Sequence, residues 1–302
     1  MKKSRKITKA IIAAAGYGTR FLPATKNQPK EMLPIIDKPI IHYLVEEAVA
    51  SGIEDIILVT RAGNHIMEDY FDNHSELENM LEQSGKLERL EMIRHIPQMA
   101  NFIYVRQKKH LPYGNASPLI AVKDLIDDDE SVVYMFGDDL TLGYKPATKQ
   151  LIDIYEKERP SAIVGVQEVP DAEVHKYGIV KYKSDAKYKY DIEGLYEKLP
   201  LGKNPSNMAQ FGRFVFSYEV VEKALNIPTG KDSELWVADI LNALAQEGKR
   251  VIAQPIEGEW LTTGDPLNYL KTTLKFALSR RDLSDEIRKV LKEYSQEYIT
   301  SL

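Results

Sequence analysis

Short apolar runs alternate with helix-period patterns through the first half of the chain. Lys9 to Ala15 forms the first run, followed by a glycine-containing loop and a long polar segment. Behind Pro39, Ile41, Leu44, Val45, Ala48 and Val49 repeat with helical spacing, Gly52 stops the pattern, and Ile56 to Val59 is a second continuous apolar run. This is the signature of a βαβ unit. Phe102 to Val105, Val132 to Phe136 and Ala162 to Val166 predict further strands, with helices near Ala116 to Leu125 and Lys149 to Glu156. Apolar strands separated by helices predict an α/β fold: a mostly parallel central sheet covered on both faces.

Beyond about residue 170 the pattern changes to polar alternation at Ile179 to Tyr182 and Tyr190 to Tyr196, then an apolar run at Phe211 to Phe216. These stretches predict a small antiparallel appendage. From Pro266 onward the pattern is helical, and Leu283 to Tyr298 is heavily charged with a thin apolar stripe, suited to an oligomer contact or to packing back on its own domain. No internal repeat or Ser/Gly-rich linker interrupts the chain, so one compact unit is expected.

The chain has 302 residues, 43% of them hydrophobic, enough for a sizeable core. It has no Cys, which excludes a disulfide framework, a thiolate metal site and a cysteine nucleophile, and fits a reducing cytoplasm. Lys2 to Lys6 followed by Ala10 to Ala15 imitates a secretory signal, but Lys9 cuts the apolar run short and Gly16, Thr19 and Arg20 follow at once. No apolar run is long enough to predict a membrane-spanning helix. The net charge of −5 argues against generic binding to nucleic acid or an anionic membrane. That charge is unevenly spread: nine bases and two acids fall within the first 40 residues.

Three of those bases, Arg20, Lys26 and Lys30, lie in the glycine-containing segment. There Gly16 and Gly18 let backbone N–H groups approach an anion while Arg20 and Lys30 neutralise phosphate oxygens. A dinucleotide fingerprint would need a third glycine where Phe21 stands, and no Walker A lysine follows. The second candidate centre is Gly137-Asp138-Asp139 at the end of the Val132 to Phe136 run, where a carboxylate faces the floor of a site. Hard oxygen donors beside a phosphate cradle suit magnesium. The six His have no partner at metal-binding spacing.

Gly16-x-Gly18-Thr19-Arg20-Phe21-Leu22-Pro23, Pro29-Lys30-Glu31-Met32-Leu33-Pro34, Gly137-Asp138-Asp139, Tyr177-Gly178-Ile179, Glu197-Lys198 and Gly212-Arg213-Phe214 together resemble the bacterial UTP:glucose-1-phosphate uridylyltransferases. They occur in that family's order across about residues 7–280. The resemblance implies a Rossmann-like three-layer nucleotidyltransferase domain over 1–302, with sugar-binding additions at about 170–265 and a helical tail at about 266–302. It also implies UTP and a sugar 1-phosphate as substrates, Mg2+ as cofactor, and a homodimer or homotetramer. By the same resemblance Ala14, Ala15 and Gly16 meet the uracil, with Gln107 on its edge and Gly114 nearby, while Gly18 and Thr19 belong to the nucleotide loop. Arg20 and Lys30 would hold the triphosphate and serve catalysis, Asp138 would ligate magnesium, Gly178 and Glu197 would meet sugar hydroxyls, and Lys198 would bind the sugar phosphate.

Three positions depart from the family pattern. Thr262, in Trp260-Leu261-Thr262-Thr263-Gly264, stands where a second acidic metal ligand is expected. Removing one charge at about 4 Å is of order 4 kcal/mol at an effective dielectric near 20, so either Asp139 or Asp265 is the candidate to compensate. Asn115 replaces a His, and Leu199 a Pro, in loops expected to face substrate, which opens a different base or sugar preference. Thr262 also favours a second reading, a weakly active or inactive nucleotide-sugar-binding paralogue. Ser233-Glu234-Leu235 with Asp239 matches the start of a family helix, and Ser233 suits its N-cap.

Overall fold

The computed structural model describes residues 5–299 apart from 64, 187, 198, 231 and 232. The chain opens with β1 (Lys9–Ala14), the two-residue hairpin strands β2 (Pro34–Ile35) and β3 (Lys38–Pro39), helix α1 (Ile40–Ala50) and β4 (Asp55–Thr60). Pro39 precedes the first turn of α1, where a missing N–H costs nothing, and Gly52 at φ +94° provides the left-handed exit. Three short helices follow, α2 (Ile66–Tyr70), α3 (Ser75–Gln83) and α4 (Leu87–His95), then β5 (Asn101–Arg106), α5 (Ser117–Ala121), β6 (Ser131–Phe136), β7 (Asp139–Leu142), α6 (Ala147–Glu158) and β8 (Ala162–Glu168).

The second half adds β9 (Gly178–Tyr182), β10 (Ile192–Glu197), β11 (Met208–Ser217), α7 (Tyr218–Asn226), α8 (Val237–Gln246), β12 (Val251–Pro255) and β13 (Glu259–Thr262). It ends in α9 (Pro266–Ser279) and α10 (Ser284–Tyr294). Nine strands form one mixed sheet in the order β10-β9-β11-β6-β1-β4-β5, with β8 pairing β11 and β12 pairing β8. The strands β6, β1, β4 and β5 are parallel neighbours, and β11 runs antiparallel to β6. The antiparallel appendage is thus fused to the central sheet through β11.

Alternation along β1 divides the core. Ala10 and Ile12 face one cluster with Leu33 and the α1 residues Ile40 and Leu44, while Ile11 faces the other with Leu119 of α5 and Ile240 of α8. The carboxyl ends of β1, β4, β5 and β6 therefore open between two helical layers, at the rim where ligands of open α/β sheets bind. The C-terminal helix α10 buries none of its residues, and its Leu291 lines a groove against α9.

Candidate active site

The loop after β1 supplies the first half of the site. Among the described residues, the amides of Gly16, Tyr17, Gly18 and Thr19 donate to no protein acceptor, leaving four N–H groups for a ligand. Gly18 sits at φ +61°, and a Cβ there would lie 3.2 Å from Thr25 Cγ2 and 3.3 Å from Lys30 Cβ. The glycine thus brings the loop onto the Lys30 segment, and the Thr25 hydroxyl donates to Gly18 O at 2.7 Å. At Gly16 a Cβ would meet nothing within 4 Å, so that side of the loop is open space.

Lys30 lies in a tight turn between Pro29 and Leu33, and its Nζ reaches Asp138 Oδ2 at 2.5 Å. Burial alone would push the Lys30 ammonium down, but the Asp138 and Glu31 carboxylates outweigh it and raise it above the ordinary lysine value. Burial would likewise raise Asp138, yet the charge and hydrogen bond of Lys30 hold its carboxyl below the usual range. Glu31 Oε1 lies 3.9 Å from the same ammonium, while Oε2 is buried without a partner among the described residues. Burial pushes the Glu31 carboxyl up to about 7, against the Lys30 charge.

The strand β13 closes the centre from the opposite side. Thr263 N and Oγ1 both donate to Asp138 O, at 2.7 and 2.8 Å, which pins the backbone that presents Asp138. Arg20 Nη1 donates to Gly264 O at 2.9 Å. A Cβ on Gly264 would lie 3.3 Å from Arg20 Nη1 and 3.4 Å from both Asp138 Oδ2 and Thr262 Oγ1. Arg20, Asp138 and Thr262 therefore converge on one point.

Both aspartates named as compensation for Thr262 already accept protein hydrogen bonds. Asp139 accepts from Trp260 Nε1 and from Gly212 N, both at 2.8 Å, and burial together with the Asp138 charge pushes its carboxyl up to about 6. It is a structural clamp between β7, β11 and β13. Asp265 caps α9, accepting from Asn268 N at 3.0 Å and Asn268 Nδ2 at 2.6 Å. Each of the four carboxylate oxygens thus accepts one protein hydrogen bond, which gives both aspartates a structural use.

Could these residues hold a divalent cation? Among the described residues no three His, Asp or Glu side chains converge as a cage. One ionised carboxylate with a hydroxyl beside it fits Mg2+, which keeps waters and draws its remaining ligands from substrate phosphates. Asp138 Oδ2 already lies against one positive charge, the Lys30 ammonium.

A cleft of about 460 Å³ runs from this centre and is lined by Ala15, Gly16, Gln107, Gly114, Arg20 and Lys30, joined by Asp138. Ala14 differs: it is fully buried in the α1-side core, so its side chain cannot line the cleft. Gly18 and Thr19 support the loop without lining this cleft. Gly114, at φ +133°, has no room for a side chain, since a Cβ would lie 2.2 Å from Leu235 O. Its loop is joined to the segment before α8 by Leu235 N to Tyr113 O at 2.7 Å and Ala116 N to Leu235 O at 3.0 Å. Asn115 Oδ1 accepts from Val237 N at 2.8 Å, so this departure from the family pattern caps α8 from a distant loop. Ser233 is not that cap: it lies at φ +58° and the helix begins at Val237, behind Trp236.

On the other flank, Gly178 of β9 is paired in register with Glu197 of β10. Gln210 of β11 donates from Nε2 to Glu197 Oε1 at 2.5 Å, and a Cβ on Gly178 would lie 2.6 Å from that nitrogen. Lys198 lies outside the described residues. Glu31, Tyr113, Trp236 and Gln210 are site residues that the sequence reading passed over. Gln210 had a legible signal, a lone amide in the apolar run around Ala209 and Phe211. Glu31 was inside a quoted motif, but its burial was not visible there.

A phosphate-cradling loop, a lysine–carboxylate centre and a cleft at the carboxyl ends of parallel strands define an α/β protein built to manage polyphosphate charge. The chain belongs to the nucleotidyl transferase family, whose model matches residues 9–278. It is 42% identical over 289 residues to UTP–glucose-1-phosphate uridylyltransferase 2 of Staphylococcus saprophyticus, covering 96% of this chain and 98% of that protein. It is 42% identical over 283 residues to UTP–glucose-1-phosphate uridylyltransferase of Bacillus subtilis, covering 94% and 95%. Its fold matches a solved UDP-glucose pyrophosphorylase from Acinetobacter baumannii with a TM-score of 0.86 at 34% identity, covering 95% and 99% of the two chains.

Proposed function

We infer that the chain transfers a uridylyl group from UTP to glucose 1-phosphate, giving UDP-glucose and pyrophosphate. The observation that carries this reading is the convergence of Arg20, Lys30, Asp138 and Thr262 at one end of a cleft that Gly16 of the glycine loop lines. The sugar phosphate oxygen is ionised at neutral pH and forms the new bond to the α-phosphorus. The bond to the bridging oxygen breaks, and pyrophosphate leaves with the electron pair. No general base is required, so catalysis reduces to alignment and charge neutralisation.

In this reading Arg20 and Lys30 neutralise the triphosphate as charge shifts toward the leaving group. Ala15, Gly16 and the backbone of Ala14 border the uracil with Gln107 and Gly114. Glu197, held by Gln210, and Gly178 meet sugar hydroxyls, and Lys198 takes the sugar phosphate. Nucleotidyl transferases generally use a divalent metal; here it is Mg2+, held by Asp138 and Thr262. When bound, the ion polarises phosphoryl oxygens as a Lewis acid. Among the described residues no helix is long and apolar enough to cross a membrane, and the lack of Cys supports a cytoplasmic location. A homodimer or homotetramer is supported by Leu267 and Leu270, exposed on α9.

The neutral Thr262 favours the second reading, a weak or inactive nucleotide-sugar binder. One experiment separates them: magnesium-dependent pyrophosphate release from UTP, CTP, ATP, GTP or dTTP with a panel of sugar 1-phosphates. UTP with glucose 1-phosphate is expected to turn over fastest. Binding of UDP-glucose without turnover of any pair would sink the enzyme reading.

A further inference from the structure

In the cleft wall beside Lys30 the transfer chemistry leaves one acidic group unused, Glu31. Its side chain is 1% exposed, and Oε2 is buried without a hydrogen-bond partner among the described residues. Packing fixes the carboxylate in place. A Cβ on Gly137 would lie 2.7 Å from Glu31 Cγ and 3.2 Å from Glu31 Oε1, so the glycine before Asp138 leaves the space that Glu31 fills. A buried acid with an oxygen that meets no donor costs stability, and an apolar side chain of similar volume would avoid that cost. In the free protein the pairing that would offset its burial is incomplete.

Lys30 stands between two carboxylates. Among the described residues its ammonium meets Asp138 Oδ2 at 2.5 Å and Glu31 Oε1 at 3.9 Å. The second distance is about 1 Å beyond hydrogen-bond length. Asp138 Oδ2 is also the oxygen that shares one point beside Gly264 with Arg20 Nη1 and Thr262 Oγ1, where a divalent ion would be held. An ammonium and a divalent ion repel each other, so Lys30 must give up that oxygen when the ion arrives. A partly buried ammonium left without a counterion is costly. Glu31 is the other anion paired with it among the described residues, and a turn of the flexible Lys30 side chain by about 1 Å brings the two into contact.

We propose that Glu31 is a positioning residue that takes over the Lys30 ammonium: Lys30 rests on Asp138 in the free protein and on Glu31 once a divalent ion claims Asp138 Oδ2. The exchange has two consequences. It frees the metal-facing oxygen without leaving a buried charge unpaired, and it keeps Lys30 in the cleft wall. The assignment rests on the uridylyltransferase reading with magnesium on Asp138.

The test is a double-mutant cycle on magnesium affinity, read by calorimetry and by the rise in Tm with magnesium alone, no nucleotide being present. Glu31→Gln keeps the volume and removes the charge. It should weaken magnesium about tenfold, the worth of one charge-assisted hydrogen bond, without lowering the Tm of the metal-free protein. Lys30→Ala leaves no ammonium to displace and should tighten magnesium by about the same factor. Adding Glu31→Gln to Lys30→Ala should then change the affinity by less than about twofold, because no ammonium needs a second anchor. Glu31→Asp, with the charge on a shorter arm, should fall between the parent and Glu31→Gln. In pyrophosphate release, Glu31→Gln should raise the magnesium concentration for half-maximal rate about tenfold, with KM for glucose 1-phosphate within about twofold. Equal weakening of magnesium by Glu31→Gln in the parent and in Lys30→Ala overturns the proposal, since Glu31 then acts on the ion by its own charge. Unchanged affinity in Glu31→Gln overturns it too, as does a lack of magnesium binding by both the parent and Lys30→Ala. Transfer by the parent keeps the two ideas apart. No turnover of any nucleotide and sugar pair fails the uridylyltransferase reading, whereas turnover with a flat cycle fails this assignment alone.

Discussion

The Arg213–Glu47 pair and the Lys30–Asp138 pair meet the same short stretch of backbone from opposite sides. Arg213 is fully buried and donates to Glu47 Oε1 at 2.9 Å, Glu47 Oε2 at 2.8 Å, Gly212 O at 2.8 Å and Asp139 O at 2.7 Å. Glu47 also accepts from Thr141 Oγ1 and from the backbone and hydroxyl of Thr148. Four of the five guanidinium N–H groups and both carboxylate oxygens are engaged inside the protein. The Lys30 and Asp138 side chains are 19% and 23% exposed, joined by one short contact, with the unpartnered Glu31 Oε2 beside them. A saturated ion pair has nothing to offer a ligand and locks β7, β11 and α1 together. An unsaturated pair, open to the cleft, can exchange one partner for a phosphate or a cation.

Breaking the saturated pair should produce the largest effect. Arg213→Ala leaves the Glu47 carboxylate buried and unpaired, a loss of about 3–5 kcal/mol in unfolding free energy, read by urea denaturation. Replacing both partners with apolar residues of similar volume should restore most of that loss. If the single variant unfolds with the parent's midpoint, the pair is not the clamp described. Lys30→Ala should divide the other way. Transfer should fall by about 10²–10³ in kcat, the range for removing one group that stabilises transition-state charge, while unfolding free energy changes far less. Equal losses of stability and turnover in Lys30→Ala would erase the contrast.

A third effect reads the partner that neither pair satisfies. The Glu31 carboxyl is raised from 4.5 to about 7 in the folded chain by burial. Between those values the native state keeps a proton that the unfolded chain has lost, so stability falls as pH rises. The contribution is complete below about pH 4.5 and is lost through about pH 7, a span on the order of 3 kcal/mol at 1.36 kcal/mol per pH unit. Glu31→Gln should flatten this slope in unfolding experiments from pH 5 to 7. An unchanged slope would show that the proton belongs to another group.

The contrast between the two pairs also marks what could be read from the sequence. β1, α1 and β4 were legible because each is a continuous apolar run or a clean helical repeat, and burial on both sheet faces demands those patterns. Helices α3 and α4 were not predicted: each buries a single residue, Leu81 and Leu90, so little periodicity marks them. The glycine loop, Lys30 and Asp138 were visible as a motif because their chemistry is local. The choice between Asp138 and Asp139 was only half visible, since it depends on Trp260 and Gly212, far along the chain. Arg213 finds Glu47 across 166 residues, and Asn115 finds Val237 across 122. Such partners follow from the order of strands in the sheet, which no short window of sequence contains.

The smallest effect tests whether the open pair extends to β13. Thr262 Oγ1 and Asp138 Oδ2 approach the same point beside Gly264, and among the described residues Thr262 Oγ1 accepts only the weak 3.2 Å contact from Gly264 N. Thr262→Asp places a second carboxylate there, which repels Asp138 in the absence of a cation and attracts a divalent one. The magnesium concentration for half-maximal transfer should fall about tenfold, a modest share of the Coulomb gain once water screens it. Magnesium alone should then raise the Tm of the variant more than that of the parent, because an ion bound only by the folded state adds stability by mass action. If Thr262→Asp changes neither quantity, the hydroxyl lies outside the cation's reach, and the open centre consists of Arg20, Lys30 and Asp138 alone.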